Sequence, residues 1–261
     1  MFFIFNKQKI YSYLVAASTV IILFILSFYF TNIDTQAIET ASETSKLVPI
    51  YNVDTEQKRI SITINCAWNA NDIDKILETL EKCNVKATFF MVGDWIDKYP
   101  EYVKKIAEKG HEIANHSDKH LHVNTLSYEQ NVEEILNCTK KIKELTGKEV
   151  KLYRCPYGEY NDTVIKAATD NGYKVIQWSI DTLDYQGLDA SQMWDRINKD
   201  LENGSIILMH NGTDNTANSL ETIIKNIQEK GYNIVKISDL IYSENYQIDQ
   251  NGTQSMQKQS E

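Results

Sequence analysis

The sequence is poor in the residues that punctuate or cross-link a chain. It has three prolines and ten glycines among 261 residues, which leaves little room for long low-complexity linkers. Its four cysteines are too few for a disulfide scaffold and form no Cys-x-x-Cys pair, so we expect mostly free thiols. Basic side chains number 27 against 36 acidic ones, and the resulting net charge of −9 argues against binding to nucleic acid.

Charged side chains are also missing from one long stretch near the N-terminus. Lys7 and Lys9 are followed by residues 10–33, which carry no charge and are rich in Val, Ile, Leu and Phe. A helix needs about 20 apolar residues to cross a bilayer. The pattern predicts a single transmembrane anchor, with the two lysines in the cytoplasm and the rest of the chain outside. The alternative is a cleaved signal peptide and a secreted protein, although the apolar part of such peptides is shorter, about 7–15 residues.

The remaining chain divides by composition. Residues 1–9 are a short cytoplasmic N-terminus, and residues 34–57 are polar and predict a linker. Residues 58–243 have the composition of a globular domain, which we expect to be monomeric. Residues 244–261 are rich in Gln, Asn and Ser and predict a disordered tail.

Strand and helix patterns alternate throughout the globular domain. Ile60, Ile62 and Ile64 alternate with polar residues as in a strand, and residues 73–80 then follow helical spacing. Seven strand-like segments, each followed by a helix, imply right-handed crossovers and a parallel sheet that closes or nearly closes into a barrel. No Gly-x-Gly-x-x-Gly follows the first strand, which weighs against a dinucleotide-binding fold.

Polar side chains follow the ends of successive predicted strands. In an α/β barrel these ends meet at one face, where active sites lie. The convergent set consists of Asn65, Cys66, Asp94, His116, His120, Arg154, Asp181 and His210.

Two of these residues form a His-x-x-x-His pair, His116 and His120. Imidazoles four residues apart on a helical turn can reach one divalent cation, although such pairs are also found as solvated or core histidines. A third, anionic ligand is needed, and Asp72 and Cys66 are the nearest candidates. Asp72 could instead cap the helix that follows it.

Four segments carry a family resemblance, in order along the chain: 116–120 (HSDKH), 154–158 (RCPYG), 178–184 (WSIDTLD) and 208–210 (LMH). They resemble motifs of the polysaccharide deacetylases, the NodB-homology domains of carbohydrate esterase family 4. Residues 87–90 and 111–116 resemble the flanking segments of that family. The resemblance covers about residues 58–242. It implies a distorted (β/α)7 barrel and metal-dependent removal of N-acetyl or O-acetyl groups from a glycan.

The resemblance also implies roles for individual residues. His210 is the expected general acid, with Asp181 orienting it, and Arg154 is expected to orient the base. The alternative for Arg154 and Asp181 is a purely structural ion pair. The backbone N–H of Tyr157 is expected to stabilise the oxyanion.

The pocket and the metal follow from the same resemblance. Leu208 and Trp178 are expected to hold or flank the acetyl methyl group, with Tyr185 as a further substrate contact, unless they are only core residues. One divalent ion is expected, Zn²⁺ in the first place with Co²⁺ or Ni²⁺ as alternatives. The predicted metal ligands are Asp72, His116 and His120.

One motif departs from the family pattern. Where most members have Thr-Phe-Asp-Asp, this chain has Asn65 and Cys66 in place of the usual base and a metal ligand. An Asn side chain cannot accept a proton at neutral pH. A subgroup with Phe-Asp-x-x-Trp-Gly-x-x-Asp resembles residues 68–72, which makes Asp72 the preferred anionic ligand. The base then stays open between Asp72, a metal-bound hydroxide and Asp184.

Three functions are compatible with these residues. The first is a membrane-anchored, extracytoplasmic, metal-dependent deacetylase of a cell-envelope polysaccharide, with peptidoglycan as the expected substrate. The second is a catalytically impaired relative that binds glycan through the same groove, which the substitution at Asn65 favours. The third is a metal-dependent amidase that acts on a small amide.

Overall fold

The computed structural model describes residues 7–41, 46–213 and 215–257, and the side chains among them except those of residues 7–10 and 29–41. The chain separates into two compact units between Lys46 and Leu47. All four cysteines are free, as the sequence predicts.

The N-terminal unit is one long helix, α1 (Lys7–Ala41), of 35 residues. Its segment Tyr11–Phe28 has a mean hydropathy of 2.0 and is not buried, and it is long and apolar enough to cross a membrane. A signal sequence has the same properties. The helix continues past the predicted span into the segment expected to be a linker, because residues 36–41 contain good helix formers such as Ala and Glu. Residues 42–45 of that segment lie outside the described residues.

The second unit alternates strands with helices. Its strands are β1 (Asn52–Val53), β2 (Arg59–Cys66), β3 (Thr88–Met91), β4 (Glu112–Asn115), β5 (Leu152–Tyr153), β6 (Lys174–Val175), β7 (Ile180–Asp181), β8 (Ile206–His210), β9 (Asn233–Ile234), β10 (Tyr246–Ile248) and β11 (Thr253–Met256). Its helices are α2 (Ile73–Lys82), α3 (Gly93–Lys98), α4 (Pro100–Glu108), α5 (Tyr128–Thr146), α6 (Asp162–Thr169), α7 (Ala190–Asp200), α8 (Thr216–Glu229) and α9 (Ile237–Leu240).

Seven parallel strands form one curled sheet in the order β6-β5-β4-β3-β2-β8-β7, and β9 adds to the start of β2. The central strand β2 is buried on both faces. Ile60, Ile62 and Ile64 pack into the core that includes residues of α2 and α8, while Thr63 and Asn65 alternate with them and so face the interior of the curl. Burial of both faces is what a parallel sheet covered by helices requires.

The segment around β1 connects the two ends of this sheet. Ile50 N donates to Val175 O at 2.9 Å, and Gln177 N donates back to Ile50 O at 2.7 Å. Val53 N donates to Gly204 O at 3.1 Å, next to the start of β8. The sheet is therefore a distorted, incompletely hydrogen-bonded barrel, which confirms the predicted fold class.

The second unit differs from the sequence-based expectation in three places. Strand β1 lies in the segment predicted to be a linker, residues 34–57, and the folded unit begins at Leu47 because Ile50 and Val53 are buried in it. The short strand β7 was not predicted as a separate strand, and no helix lies between β6 and β7. The predicted disordered tail is instead an antiparallel pair of β10 and β11, and β11 pairs in parallel with β1.

The buried side chain of Gln254 explains why this polar segment is ordered. Its Oε1 accepts from Tyr242 N and its Nε2 donates to Tyr242 O, both at 2.9 Å. Polar composition alone therefore gave the wrong prediction for residues 246–256. Residues 258–261 lie outside the described residues.

Candidate active site

A pocket of about 510 Å³ opens at the carboxyl ends of the parallel strands. Nine of the eleven residues predicted for the site line it; the exceptions are Arg154 and Asp72. The lining consists of Asn65, Ala67, Trp68, His116, His120, Cys155, Tyr157, Gly158, Trp178, Asp181, Tyr185, Leu208 and His210. Convergence at this face is what a barrel dictates for residues that follow its strands.

His210, the last residue of β8, is held by a buried carboxylate. Its Nδ1 donates to Asp184 Oδ1 at 2.9 Å, and its backbone N donates to Asp184 Oδ2 at 2.6 Å. Thr216 Oγ1 also donates to Oδ2, at 2.6 Å. Because Nδ1 is engaged, Nε2 is the ring nitrogen left for the pocket.

The residue that orients His210 is therefore Asp184, and the expectation that Asp181 does so is wrong. Leu183, between the two acids, has a left-handed backbone (φ 52°), which turns the chain so that Asp184 returns beneath His210. Asp181 lines the pocket, and its Oδ1 accepts from Leu183 N at 2.9 Å. Asp184 is also no longer available as a base.

The guanidinium of Arg154 lies fully buried behind Asn65. Its Nη1 donates to Thr63 Oγ1 and to Asn65 Oδ1, both at 2.9 Å. Its other nitrogens donate to backbone oxygens, Nε to Ile176 O at 3.2 Å and Nη2 to Gln177 O at 3.0 Å. Every one of these acceptors is neutral. Burial lowers the pKa of Arg154 to about 9, against a Coulombic attraction from Asp181 that raises it.

This contact fixes the orientation of the Asn65 amide. An arginine side chain has donors only, so the amide oxygen must face Arg154 and the NH₂ group must point away from it. Asn65 lines the pocket. Asn65 therefore presents a hydrogen-bond donor to the pocket, where an aspartate would present an acceptor. Arg154 and Asp181, both of which the structure describes, do not form the ion pair that was the alternative to their catalytic roles.

His116 and His120 come together across the pocket, with ring centroids 5.0 Å apart and the rings nearly perpendicular at 81°. His116 Nδ1 donates to Arg154 O at 2.8 Å, which leaves Nε2 as the unprotonated nitrogen of a neutral ring. Burial lowers the pKa of both imidazoles, so both favour the neutral form that can bind a metal.

Asp72 does not join the two histidines. Both of its carboxylate oxygens accept from Gly212 N, at 2.8 and 2.9 Å, and burial raises the pKa of the carboxyl group. Cys66 is buried in the apolar core, where burial raises the pKa of its thiol well above the ordinary value. Within residues 11–28, 46–213 and 215–257, no three His, Cys, Asp or Glu side chains converge closely enough to hold a metal ion. The residues present thus bring two of the three predicted ligands together, and Asp72 lies apart from them.

Aromatic rings surround the mouth of the pocket. Trp68 stacks on His210 with centroids 5.2 Å apart, and the Tyr185 ring meets His210 edge-on at 5.4 Å. Tyr157, with a left-handed backbone (φ 58°), lies edge-on to His120. Trp68, Tyr157 and Tyr185 are all exposed, although His210 covers one face of Trp68 and His122 stacks on one face of Tyr157 at 4.3 Å. Trp68 was part of a predicted motif but was not predicted as a site residue.

The fold and the pocket together define a class of protein. A parallel α/β barrel with a His–Asp pair, two converging histidines and a buried arginine at its carboxyl face has the architecture of an acid–base enzyme.

Comparison with known proteins makes the class specific. Residues 52–176 match the family model described as polysaccharide deacetylase. The uncharacterized protein YlxY of Bacillus subtilis is 35% identical over 193 residues, which cover 74% of this chain and 60% of that protein. A peptidoglycan-N-acetylglucosamine deacetylase of Bacillus cereus is 32% identical over 185 residues, covering 69% of this chain and 67% of the relative. The chain thus belongs to the polysaccharide deacetylase family, carbohydrate esterase family 4.

A solved structure of the same family is similar in fold. BA3943 of Bacillus anthracis, described as a pseudoenzyme, superposes with a TM-score of 0.71 at 29% identity, covering 81% of this chain and 73% of that one. A mutant of BA3943 is described as having restored enzymatic activity.

Proposed function

We propose that this chain deacetylates an N-acetylated cell-wall glycan, with peptidoglycan as the substrate. The observation that carries the proposal is the arrangement around His210. Asp184 holds Nδ1, and Nε2 is left for a pocket that Leu208 and Trp178 also line. An acetyl methyl group against these apolar side chains would bring its amide close to His210. The relatives named as peptidoglycan deacetylases support the choice of substrate.

In this reaction water adds to the acetyl carbon, the C–N bond breaks and acetate leaves. His210 donates from Nε2 the proton that the leaving amine requires, and the proton released by the water restores His210. Asp184 keeps the ring in one orientation and stabilises the imidazolium form. The Asn65 amide donates to the acetyl carbonyl, because its NH₂ group faces away from Arg154. For the expected Zn²⁺, or Co²⁺ or Ni²⁺, the described residues bring His116 and His120 together without a third His, Cys, Asp or Glu side chain close enough to complete a site.

Release of acetate from N-acetylglucosamine oligomers and from peptidoglycan tests the proposal, with the full chain in detergent micelles. Wild type should release acetate, and His210→Gln should release it at least about 10²-fold more slowly. Circular dichroism would show that the variant is folded. No acetate from any of these substrates with wild type would overturn the proposal.

A second candidate function is glycan binding without turnover. The neutral amide of Asn65 where the family has its base favours it, and so does the two-ligand histidine site. The similarity to a pseudoenzyme supports the same candidate. Asn65→Asp discriminates between the two, because a positioned general base is worth about 10²–10⁴-fold. An inactive wild type that binds oligomers and becomes active as Asn65→Asp is a binder, whereas an active wild type with little gain is an enzyme.

We further propose that α1 is an uncleaved, single-pass anchor that holds the glycan-facing unit outside the membrane. The length and hydropathy of Tyr11–Phe28 support it. Expression in a Gram-positive-type host followed by membrane fractionation and N-terminal sequencing tests it. A soluble product that begins downstream of residue 33 would show a cleaved signal instead.

A further inference from the structure

The loop between His116 and His120 is held from behind by one carboxylate. Glu134 lies on α5 and is buried, whereas its neighbour Glu133 is exposed. Its Oε2 accepts from Ser117 Oγ at 2.5 Å, from Lys119 N at 2.8 Å and from Asp118 N at 3.1 Å. A single oxygen thus binds three consecutive residues between the two pocket histidines.

The loop needs such support because its backbone is strained. Ser117 (φ 71°) and His120 (φ 54°) both adopt the left-handed conformation, which non-glycine residues seldom occupy. Such conformations persist only where the surroundings fix them. The strand β4 ends at Asn115, and His116 N still donates to Met91 O of β3 at 3.0 Å, so the loop leaves the sheet at Ser117.

The other groups of the loop are held from the opposite side. Gly93 N donates to Ser117 O at 3.0 Å, and Asp94 N donates to Asp118 O at 2.9 Å. These contacts satisfy carbonyl oxygens. The backbone donors of Asp118 and Lys119 turn instead to Glu134, so the carboxylate supplies the acceptors that the loop lacks.

We propose that Glu134 is a positioning residue for the pocket, which sets where the His120 imidazole stands relative to that of His116. His116 has its own anchor, the hydrogen bond from Nδ1 to Arg154 O. His120 follows directly after the three residues that Glu134 binds, and it reaches the pocket only through their strained turn. Glu134 therefore acts on His120 and through it on the ligand in the pocket.

The two adjacent glutamates of α5 provide a matched experiment on the full chain in detergent micelles. Glu134→Gln keeps the shape of the side chain but replaces charge-assisted bonds by weaker neutral ones and adds a buried NH₂ group. Glu133→Gln makes the same chemical change at an exposed position. Long-range ¹H–¹⁵N spectra of protein labelled at its five histidines report each ring separately.

We expect Glu134→Gln to shift the resonances of His120 while those of His111 and His210 stay unchanged. The affinity for an N-acetylglucosamine tetramer should fall about 10-fold, as small misplacements in a site do. Glu133→Gln should leave both measurements unchanged. The measurement of glycan affinity rests on the proposed function, whereas the measurement of the histidine spectra does not. A wild type that binds no glycan would refute the proposed function and still leave the spectra to decide this inference.

Ser117→Ala gives a milder variant if Glu134→Gln fails to fold, since it removes only the hydroxyl donor and keeps both backbone ones. It should shift the same His120 resonances by a smaller amount. The inference is overturned if His120 is unshifted in the folded variants, or if all five histidines shift together, which would mark a general structural role. A loss of glycan affinity without any change at His120 would overturn it as well.

Discussion

The two sides of the pocket differ in the hydrogen-bond partners that they give to a buried charged side chain. On one side the carboxylate of Asp184 accepts hydrogen bonds from His210 and Thr216, so the buried acid is fully partnered and the imidazole has one orientation. On the other side the guanidinium of Arg154 donates to neutral oxygens, among them the amide of Asn65. We call these the His210 side and the Arg154 side.

The difference shows which half of the hydrolytic chemistry this chain keeps. Hydrolysis of an amide needs a proton donor for the leaving amine and a base for the attacking water. The His210 side has every group that the first task requires. The Arg154 side keeps the residue that would orient a base, but an amide stands where the base would be. For the proposed reaction, the pocket therefore has the groups that would protonate the leaving amine and lacks a carboxylate at the position of the usual base.

The largest expected effect comes from breaking the His210 side. Asp184→Asn should slow acetate release by about 10³-fold, because an amide at this position can favour the wrong tautomer of His210. Asp181→Asn is the matched control, since Asp181 lines the same pocket without contacting His210, and its rate should fall much less. Equal losses of rate in the two variants would mean that both acids orient His210.

Removal of the charge from the Arg154 side should be costly for stability. Arg154→Met leaves the buried oxygens of Thr63, Asn65 and two backbone carbonyls without their donor, and it should lower the free energy of unfolding by about 3 kcal/mol. Urea denaturation of the full chain in micelles measures it. A variant as stable as wild type would mean that the unpaired cation costs as much as its hydrogen bonds contribute.

Repair of the Arg154 side should stabilise the fold by a smaller amount. Asn65→Asp gives the buried guanidinium a charged acceptor and should raise the free energy of unfolding by about 1–2 kcal/mol at pH 7. Asn115→Asp, at the end of β4, is the matched control. Asn115 donates to Ile135 O at 2.7 Å, so an acid there should destabilise the protein. The same sign of change in both variants would contradict the assigned orientation of Asn65.

The smallest expected effect is a loss of stability in acid. It comes from His111, which lies at the end of the barrel away from both sides of the pocket. Burial lowers the pKa of His111 to about 4, and its Nδ1 accepts from Ala87 N. In the unfolded chain His111 becomes protonated below about pH 6.5, whereas in the folded protein it stays neutral until the pH approaches 4. The stability from His111 is thus complete above about pH 6.5 and is lost as the pH falls toward 4.

Comparison of wild type with His111→Gln isolates this contribution. Between pH 7 and 5.5 the free energy of unfolding of wild type should fall by about 1 kcal/mol more than that of the variant. Parallel pH profiles would show that the acid sensitivity arises elsewhere, for example at the pocket histidines.

The sequence predicted the features that depend on hydrophobic periodicity and on the ends of strands. It failed to predict the contacts that depend on the conformation of a single turn. Seven strand-like segments, each followed by a helical pattern, were enough to predict a parallel barrel, and the strand ends brought His116, Asn65 and His210 to one face. The choice between Asp181 and Asp184 depends on one left-handed residue, Leu183, which no pattern marks.

Other failures have the same origin in long-range contacts. The position of Asp72 depends on a hydrogen bond to Gly212, which is 140 residues away. The order of the C-terminal strands depends on the burial of Gln254, a residue that composition assigns to solvent.

The stacking of Trp68 on His210 gives the protein a built-in optical probe. The indole is half exposed and lies 5.2 Å from the imidazole, centroid to centroid. Trp68 is one of four tryptophans, so the emission that wild type has and Trp68→Phe lacks should change when a sugar ring arrives at the pocket mouth, and occupancy can be read in a cuvette without any label.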